Sequence, residues 1–173
     1  MNRSINIKIN GKSYSDVVED RLLLVNYIRD VAGLTGTHMG CDTGHCGACT
    51  IVMNGEAVKS CLILAVQAEG ASVETVEGMA SETGLHPLQV SFRKNFAVQC
   101  GFCTAGILMS ALALLRNNPE PNSEDISKAL TGNICRCEGY PNIVKAIEEA
   151  SLVMKAAKDL GREPRGKENE KEG

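Results

Sequence analysis

The chain opens in strict alternation. Ile5, Ile7 and Ile9 occupy every second position between polar neighbours, the period of a strand with one buried face. Asn10-Gly11 follows, the pair that accepts positive φ at both centres of a type I′ turn, so a second strand through Tyr14 and Val17 is expected to return as a hairpin. From Arg21 to Val31 the period lengthens: Leu23, Tyr27, Ile28 and Val31 recur at helical spacing, and Gly33 closes the run. A second hairpin is predicted for Thr50 to Met53 and Glu56 to Ser60 about Asn54-Gly55, and Ser72 to Val76 adds one more strand. Strands, one helix and a glycine-rich loop between them make the first half α+β.

Gly78 to Gly84 is small and polar and reads as a linker. Beyond it the period is helical. Pro87 suits a first helical position ahead of Leu88 and Phe92. Thr104 to Asn117 is apolar nearly all round and belongs at the centre of a packed group. Ser123 is placed to cap a helix whose first turn holds Glu124 and Asp125, and Asn142 to Ala156 puts Ile143, Ile147, Ala150 and Met154 on one stripe. Four helices with short connections predict a bundle.

Composition narrows the setting. The 173 residues include no Trp, three Tyr and three Phe, so the core is expected to be aliphatic and thin enough that a metal would help hold it. A formal charge of -3, with no basic patch, gives no basis for nucleic-acid binding. Arg3, Lys8, Asp16, Glu19, Asp20 and Arg21 fall where a secretory leader would need an apolar run, which predicts a cytoplasmic protein. The longest apolar stretch, Ala105 to Leu115, is too short to span a bilayer. Eight of the last thirteen residues are charged and without period, so 161–173 is expected to be a disordered tail.

Against this background the eight cysteines stand out. Cys41, Cys46 and Cys49 follow an x4, x2 spacing with Cys61 behind them; Cys100 and Cys103 are joined by Cys135 and Cys137. The first spacing is the plant-type ferredoxin signature for a [2Fe-2S] cluster, and the second is another full set of soft ligands. Register supports the first set independently. If Asn54-Gly55 is a two-residue turn, Met53 pairs with Glu56, and counting outward brings Cys61 opposite Ala48, beside Cys49. Cys100 and Cys103 are predicted one helical turn apart at the start of the apolar helix, whose dipole favours an anionic cluster. Cys135 and Cys137, read as extended, project to one side of Arg136. Zinc would suit the second quartet taken alone, although zinc ribbons favour two short CxxC hooks over the first spacing. Disulfides would suit an oxidising compartment for which no leader argues.

Three segments carry a resemblance. Gly40-Cys41-Asp42-Thr43-Gly44-His45-Cys46-Gly47-Ala48-Cys49-Thr50, Gln99-Cys100-Gly101-Phe102-Cys103-Thr104 and Gly132-Asn133-Ile134-Cys135-Arg136-Cys137-Glu138-Gly139-Tyr140 resemble the iron-sulfur part of the xanthine oxidase family of molybdenum hydroxylases, over about residues 3 to 156. Together with Val58-Lys59-Ser60-Cys61, the wording is most similar to small subunits of aerobic carbon monoxide dehydrogenase and related enzymes. The fold expected is α+β: a plant-type ferredoxin-like (β-grasp) domain over residues 1–78, then a four-helix-bundle [2Fe-2S] domain over 79–160.

The resemblance implies a heterotrimer, or a dimer of heterotrimers. A large subunit would bind molybdopterin, a medium subunit FAD, and this chain would pass electrons between them through two [2Fe-2S] clusters. It further implies that Cys100, Cys103, Cys135 and Cys137 hold the cluster proximal to molybdenum, that Cys41, Cys46, Cys49 and Cys61 hold the distal one, and that Gln99 and Cys137 lie next to the pterin. Glu138 stands where many relatives have Thr or another small residue. With no Walker loop, no G-x-G-x-x-G after a strand and no paired acid-base groups, the chain is read as an enzyme's electron-transfer subunit without a substrate-transforming site of its own. A freestanding two-cluster ferredoxin is the alternative. His45, inside the first loop, is surplus to four cysteines; His38 and His86 read as loop or helix-start residues, and Met109 and Met154 as packing. Arg136 suits either a charge that raises a cluster's potential or a contact to a partner.

Overall fold

In the computed structural model, which describes residues 1–81 and 84–160, the alternating isoleucines form β1 (Asn2–Ile9), paired antiparallel with β2 (Lys12–Glu19). Asn10 and Gly11 turn the chain with φ of 49° and 82°, as a type I′ turn requires. Ile5, Ile7 and Ile9 are buried; on β2 the inward residue is Val18, and Val17 faces outward.

The first helix is shorter than its apolar period implies. Leu22 to Leu24 are committed to extended pairing: Leu24 N–H donates to Ile63 O, Ala65 N–H to Leu22 O, and Leu23 bridges Leu64. Only α1 (Leu24–Asn26) is α-helical, and it widens into a π turn over Tyr27–Val31. The wide turn accommodates Tyr27, wholly buried, whose hydroxyl donates to Asp16 at 2.7 Å.

The second hairpin has the expected register. β3 (Thr50–Met53) and β4 (Glu56–Lys59) pair with Met53 opposite Glu56. β4 stops at Lys59 because Ser60–Leu62 forms a tight 3-10 turn, tied back by the Ser60 hydroxyl donating to Cys49 O at 2.7 Å. β5 (Ser72–Glu74) ends two residues before Val76, where another 3-10 turn begins. The sheet order is β2-β1-β5-β3-β4, with β1 and β5 parallel. One face of this sheet, with Ile5, Ile7, Ile9, Ile51 and Val73, packs on Tyr27 and Ile28.

Alternation sends Val52 to the opposite face, where it enters a second core built by the helices. These are α2 (Pro87–Lys94), α3 (Thr104–Asn117), α4 (Ser123–Ala129) and α5 (Tyr140–Asp159). Nearly every residue of α3 is buried, which accounts for its uniform apolarity. Ser123 is not the cap of α4. Asn122 is, its side-chain oxygen accepting from the N–H groups of Glu124 and Asp125 while the Asp125 carboxylate accepts from Asn122 N–H. α5 starts two residues before Asn142, with Pro141 in its first turn. The stretch predicted as a linker is partly structural, since Met79 is buried in the helical core. Arg116 at the end of α3 grips Glu74 of β5 with two bonds of 2.7 and 2.8 Å. The charged tail expected at 161–173 lies outside the described residues. Among those described, no helix is long and apolar enough to cross a membrane.

Candidate metal centre: two thiol quartets

None of the eight cysteines is in a disulfide. They gather into the two quartets expected from spacing, each made of two close pairs. In the first, Cys41 is within hydrogen-bonding reach of Cys46, and Cys49 of Cys61, with Cys41 near enough to Cys61 to feel its charge. In the second, Cys100 pairs with Cys137 and Cys103 with Cys135, and Cys100 interacts with both Cys103 and Cys135. Two pairs are what a binuclear cluster asks for: four thiolates shared between two irons leave two for each. The donor set therefore fits [2Fe-2S] better than a single zinc.

The first quartet sits on a loop pinned at both ends. Arg29 in the π turn donates at 2.6 Å to the carbonyls of Thr35 and Thr37, fixing the entrance. The β3–β4 hairpin carries Cys61 to Cys49, both buried. Between them the backbone curls its amides inward. Cys46 N–H lies 3.3 Å from the Cys41 sulfur, and with the N–H groups of Thr43 and His45 it lowers the Cys41 thiol to about 6, so these donors favour thiolate. Burial works the other way at Cys61, pushed up to about 11, although Gly44 N–H points at it. Such a buried pair is stable as thiolate only beside a cation, which iron would supply.

In the second quartet the structure corrects two local expectations. Cys100 to Cys103 is not a helical turn: Gly101 has φ +84°, and Cys103 is the cap residue from which α3 starts. Cys135 to Cys137 is not extended either, because Glu138 N–H closes a turn onto Cys135 O and Glu138 itself has φ +58°. Both loops nevertheless present their sulfurs to one place. Phe102 N–H holds Cys100 below the usual thiol range, and burial raises Cys103 to about 12. Gln99 lies where its amide reaches Cys137 O at 3.4 Å, on an exposed surface. Tyr140 hydroxyl accepts from Cys135 N–H at 2.8 Å and braces the turn.

The two sites touch. Ile134 N–H donates to Cys46 O at 2.8 Å, so the residue before Cys135 is bonded to a residue of the other quartet. Asn133, buried, donates to Gly47 O at 3.0 Å and accepts from Ser110 at 2.8 Å. Gly47 has φ +71°, and a Cβ there would overlap Gly132 O; one on Gly106 of α3 would overlap Gly47 O. Backbones this close admit only glycine. On the other side His38 stacks on Phe102, ring centroids 4.8 Å apart, and its Nδ1 bonds Phe102 O. His45 turns away to Thr43.

Asn133, His38 and Phe102, with Lys59, whose ammonium donates to Gly44 O, were not singled out from sequence for these contacts. Their partners lie from 15 to 86 residues away, and no local period signals them.

Comparison with known proteins agrees with this geometry. Residues 7–75 match the 2Fe-2S iron-sulfur cluster binding domain and residues 75–148 the [2Fe-2S] binding domain. The chain is 49% identical over 146 residues to the nicotine 6-hydroxylase small subunit of Paenarthrobacter nicotinovorans, covering 84% of this chain and 88% of that one. It is 45% identical over 157 residues to caffeine dehydrogenase subunit gamma of Pseudomonas sp. (strain CBB1), covering 89% and 94%. The crystal structure of quinoline 2-oxidoreductase from Pseudomonas putida 86 superposes with a TM-score of 0.86 at 46% identity, over 93% of this chain and 98% of that one. Two cluster-binding domains in this order, on a fold shared at such identity, show that the chain belongs to the small iron-sulfur subunits of the xanthine oxidase family of molybdenum hydroxylases.

Proposed function

We propose that this chain is the electron conduit of a molybdenum hydroxylase, with Cys100, Cys103, Cys135 and Cys137 holding a [2Fe-2S] cluster in the helical unit, 79–160, and Cys41, Cys46, Cys49 and Cys61 holding another in the ferredoxin-like unit, 1–78. When bound, the clusters supply two one-electron stores. In that role the helical unit would take electrons from a molybdopterin on a large subunit, and the ferredoxin-like unit would hand them to FAD on a medium subunit. The observation that carries this reading is the bond from Ile134 N–H to Cys46 O, a single hydrogen bond that joins the backbone beside Cys135 to a cysteine of the other quartet.

The chain's own residues perform three tasks in this scheme. Inward amides stabilise the negative sulfurs, the close approach of Gly47 to Gly132 and to Gly106 of α3 holds the first cysteine loop against the second unit, and Gln99 with Cys137 offers an exposed polar edge to the pterin. Nicotine, caffeine and quinoline, named for the relatives above, are nitrogen heterocycles. We therefore favour an N-heterocycle over carbon monoxide or an aldehyde as the substrate of the complex.

Purification from cells that also express the neighbouring large and medium chains tests the assignment. A stable complex containing molybdenum and flavin is expected; a chain that runs alone, fully loaded with iron, would overturn it and favour a freestanding carrier.

A further inference from the structure

Lys59, the last residue of β4, crosses from the sheet to the first cysteine loop. Its ammonium donates to Gly44 O at 2.5 Å. It also lies against the second unit, since a Cβ on Gly132 would come 2.9 Å from Lys59 Nζ. Among the described residues none of the ion pairs uses Lys59. A half-buried positive charge thus stands between the two cysteine loops, bonded to a carbonyl and, among the described residues, in no ion pair.

The atom it bonds is well chosen. Gly44 C=O and His45 N–H belong to one peptide group, and His45 N–H points at the Cys41 sulfur, while Gly44 N–H points at Cys61. A cation on the carbonyl end polarises the peptide and strengthens the pull of its N–H on the negative sulfur, adding to the hydrogen bond that Cys46 N–H gives the same atom at 3.3 Å. We propose that Lys59 is a potential-setting residue: its charge, delivered through the Gly44–His45 peptide to Cys41, makes the ferredoxin-like cluster easier to reduce. Reduction adds one electron and one negative charge and forms no bond. A nearby cation stabilises the reduced form more than the oxidised one. The charge thereby draws electrons from the helical unit toward the ferredoxin-like one. This inference rests on reading Cys41, Cys46, Cys49 and Cys61 as ligands.

The test is a dithionite redox titration of the isolated holoprotein, followed by electron paramagnetic resonance, in Lys59→Met, Lys59→Gln and Lys59→Arg. The signal that survives Cys103→Ser identifies the ferredoxin-like cluster. Met and Gln are each expected to shift the electron distribution between the clusters about tenfold away from it, which is about 59 mV for a one-electron couple; Arg should hold it near the wild-type value. Gln keeps a donor for Gly44 O without the charge. A wild-type potential in Lys59→Gln with a lowered one in Lys59→Met would assign Lys59 a merely structural hydrogen bond and overturn the proposal, as would no shift in either. Two signals in the wild type with none surviving in a folded Cys103→Ser variant would overturn the ligand reading itself.

Discussion

At the scale of single residues, Asn133 does most to join the two halves. It is 5% exposed, takes a bond from Ser110 on α3 and gives one to Gly47 in the first cysteine loop. Truncation leaves a buried hydroxyl without its partner, and such a loss costs about 1–3 kcal/mol. Asn133→Ala is accordingly expected to lower the urea midpoint of the holoprotein by an amount equivalent to about 2 kcal/mol. An unchanged midpoint would mean that Ser110 and Gly47 find other partners and that the junction does not depend on this side chain. None of this was legible beforehand. Cysteines announce themselves by type and spacing because few residues offer a soft anionic ligand, whereas an Asn beside a Gly reads first as a turn.

At the scale of elements, α2 shows both what a local pattern reveals and where it stops. Pro87 marked the start correctly. The end follows a Schellman motif, with Ala97 N–H donating to Phe92 O and Phe96 N–H to Arg93 O, which puts Phe96 at the position that favours glycine. Phe96 has φ +54° and is 80% exposed, so it bears left-handed strain of about 1–2 kcal/mol with little burial to offset it in the isolated chain. Phe96→Gly should stabilise the chain by about 1 kcal/mol in thermal or denaturant unfolding; a loss of stability would show that the ring's packing outweighs the strain.

The other end of α2 is pH-sensitive. His86 Nδ1 accepts Leu88 N–H as the cap, and burial, then the charge of Arg116, lowers its pKa to about 4. A depressed histidine favours the fold when neutral. Its contribution is complete above the unfolded value near 6.5 and is lost as pH falls through that value toward 4. His86→Asn keeps a capping acceptor that does not titrate, so wild type is expected to lose stability relative to this variant between pH 6.5 and 4. A pH-independent difference would contradict the account. Comparing the two removes the acid losses they share, including those of Glu74 and Glu149, whose pKa values are also lowered. Helix α1 marks the limit of periodic reading: Leu23 falls on the helical stripe, yet pairing with Leu64 holds it in a bridge, because backbone bonds to a distant segment override a weak local propensity.

At the scale of the whole molecule, the sheet serves both cores. Ile51 faces the first and Val52 the second, so α3 rests directly on the sheet that carries the first cysteine loop. Overall α+β architecture and the register of the second hairpin were legible in the sequence, since each follows from alternation or turn residues. The docking of one unit on the other was not. It depends on Gly47, Gly106 and Gly132 being small where two backbones meet, and smallness carries no label of its partner.

The proposed role requires two binuclear clusters held by the paired thiols. The most direct measurement is iron and acid-labile sulfide per chain in the isolated holoprotein, read beside the paramagnetic signals of the reduced sample. Two [2Fe-2S] clusters predict about four irons, about four sulfides and two distinct signals. Zinc in place of iron, or about two irons with a single signal, would contradict it.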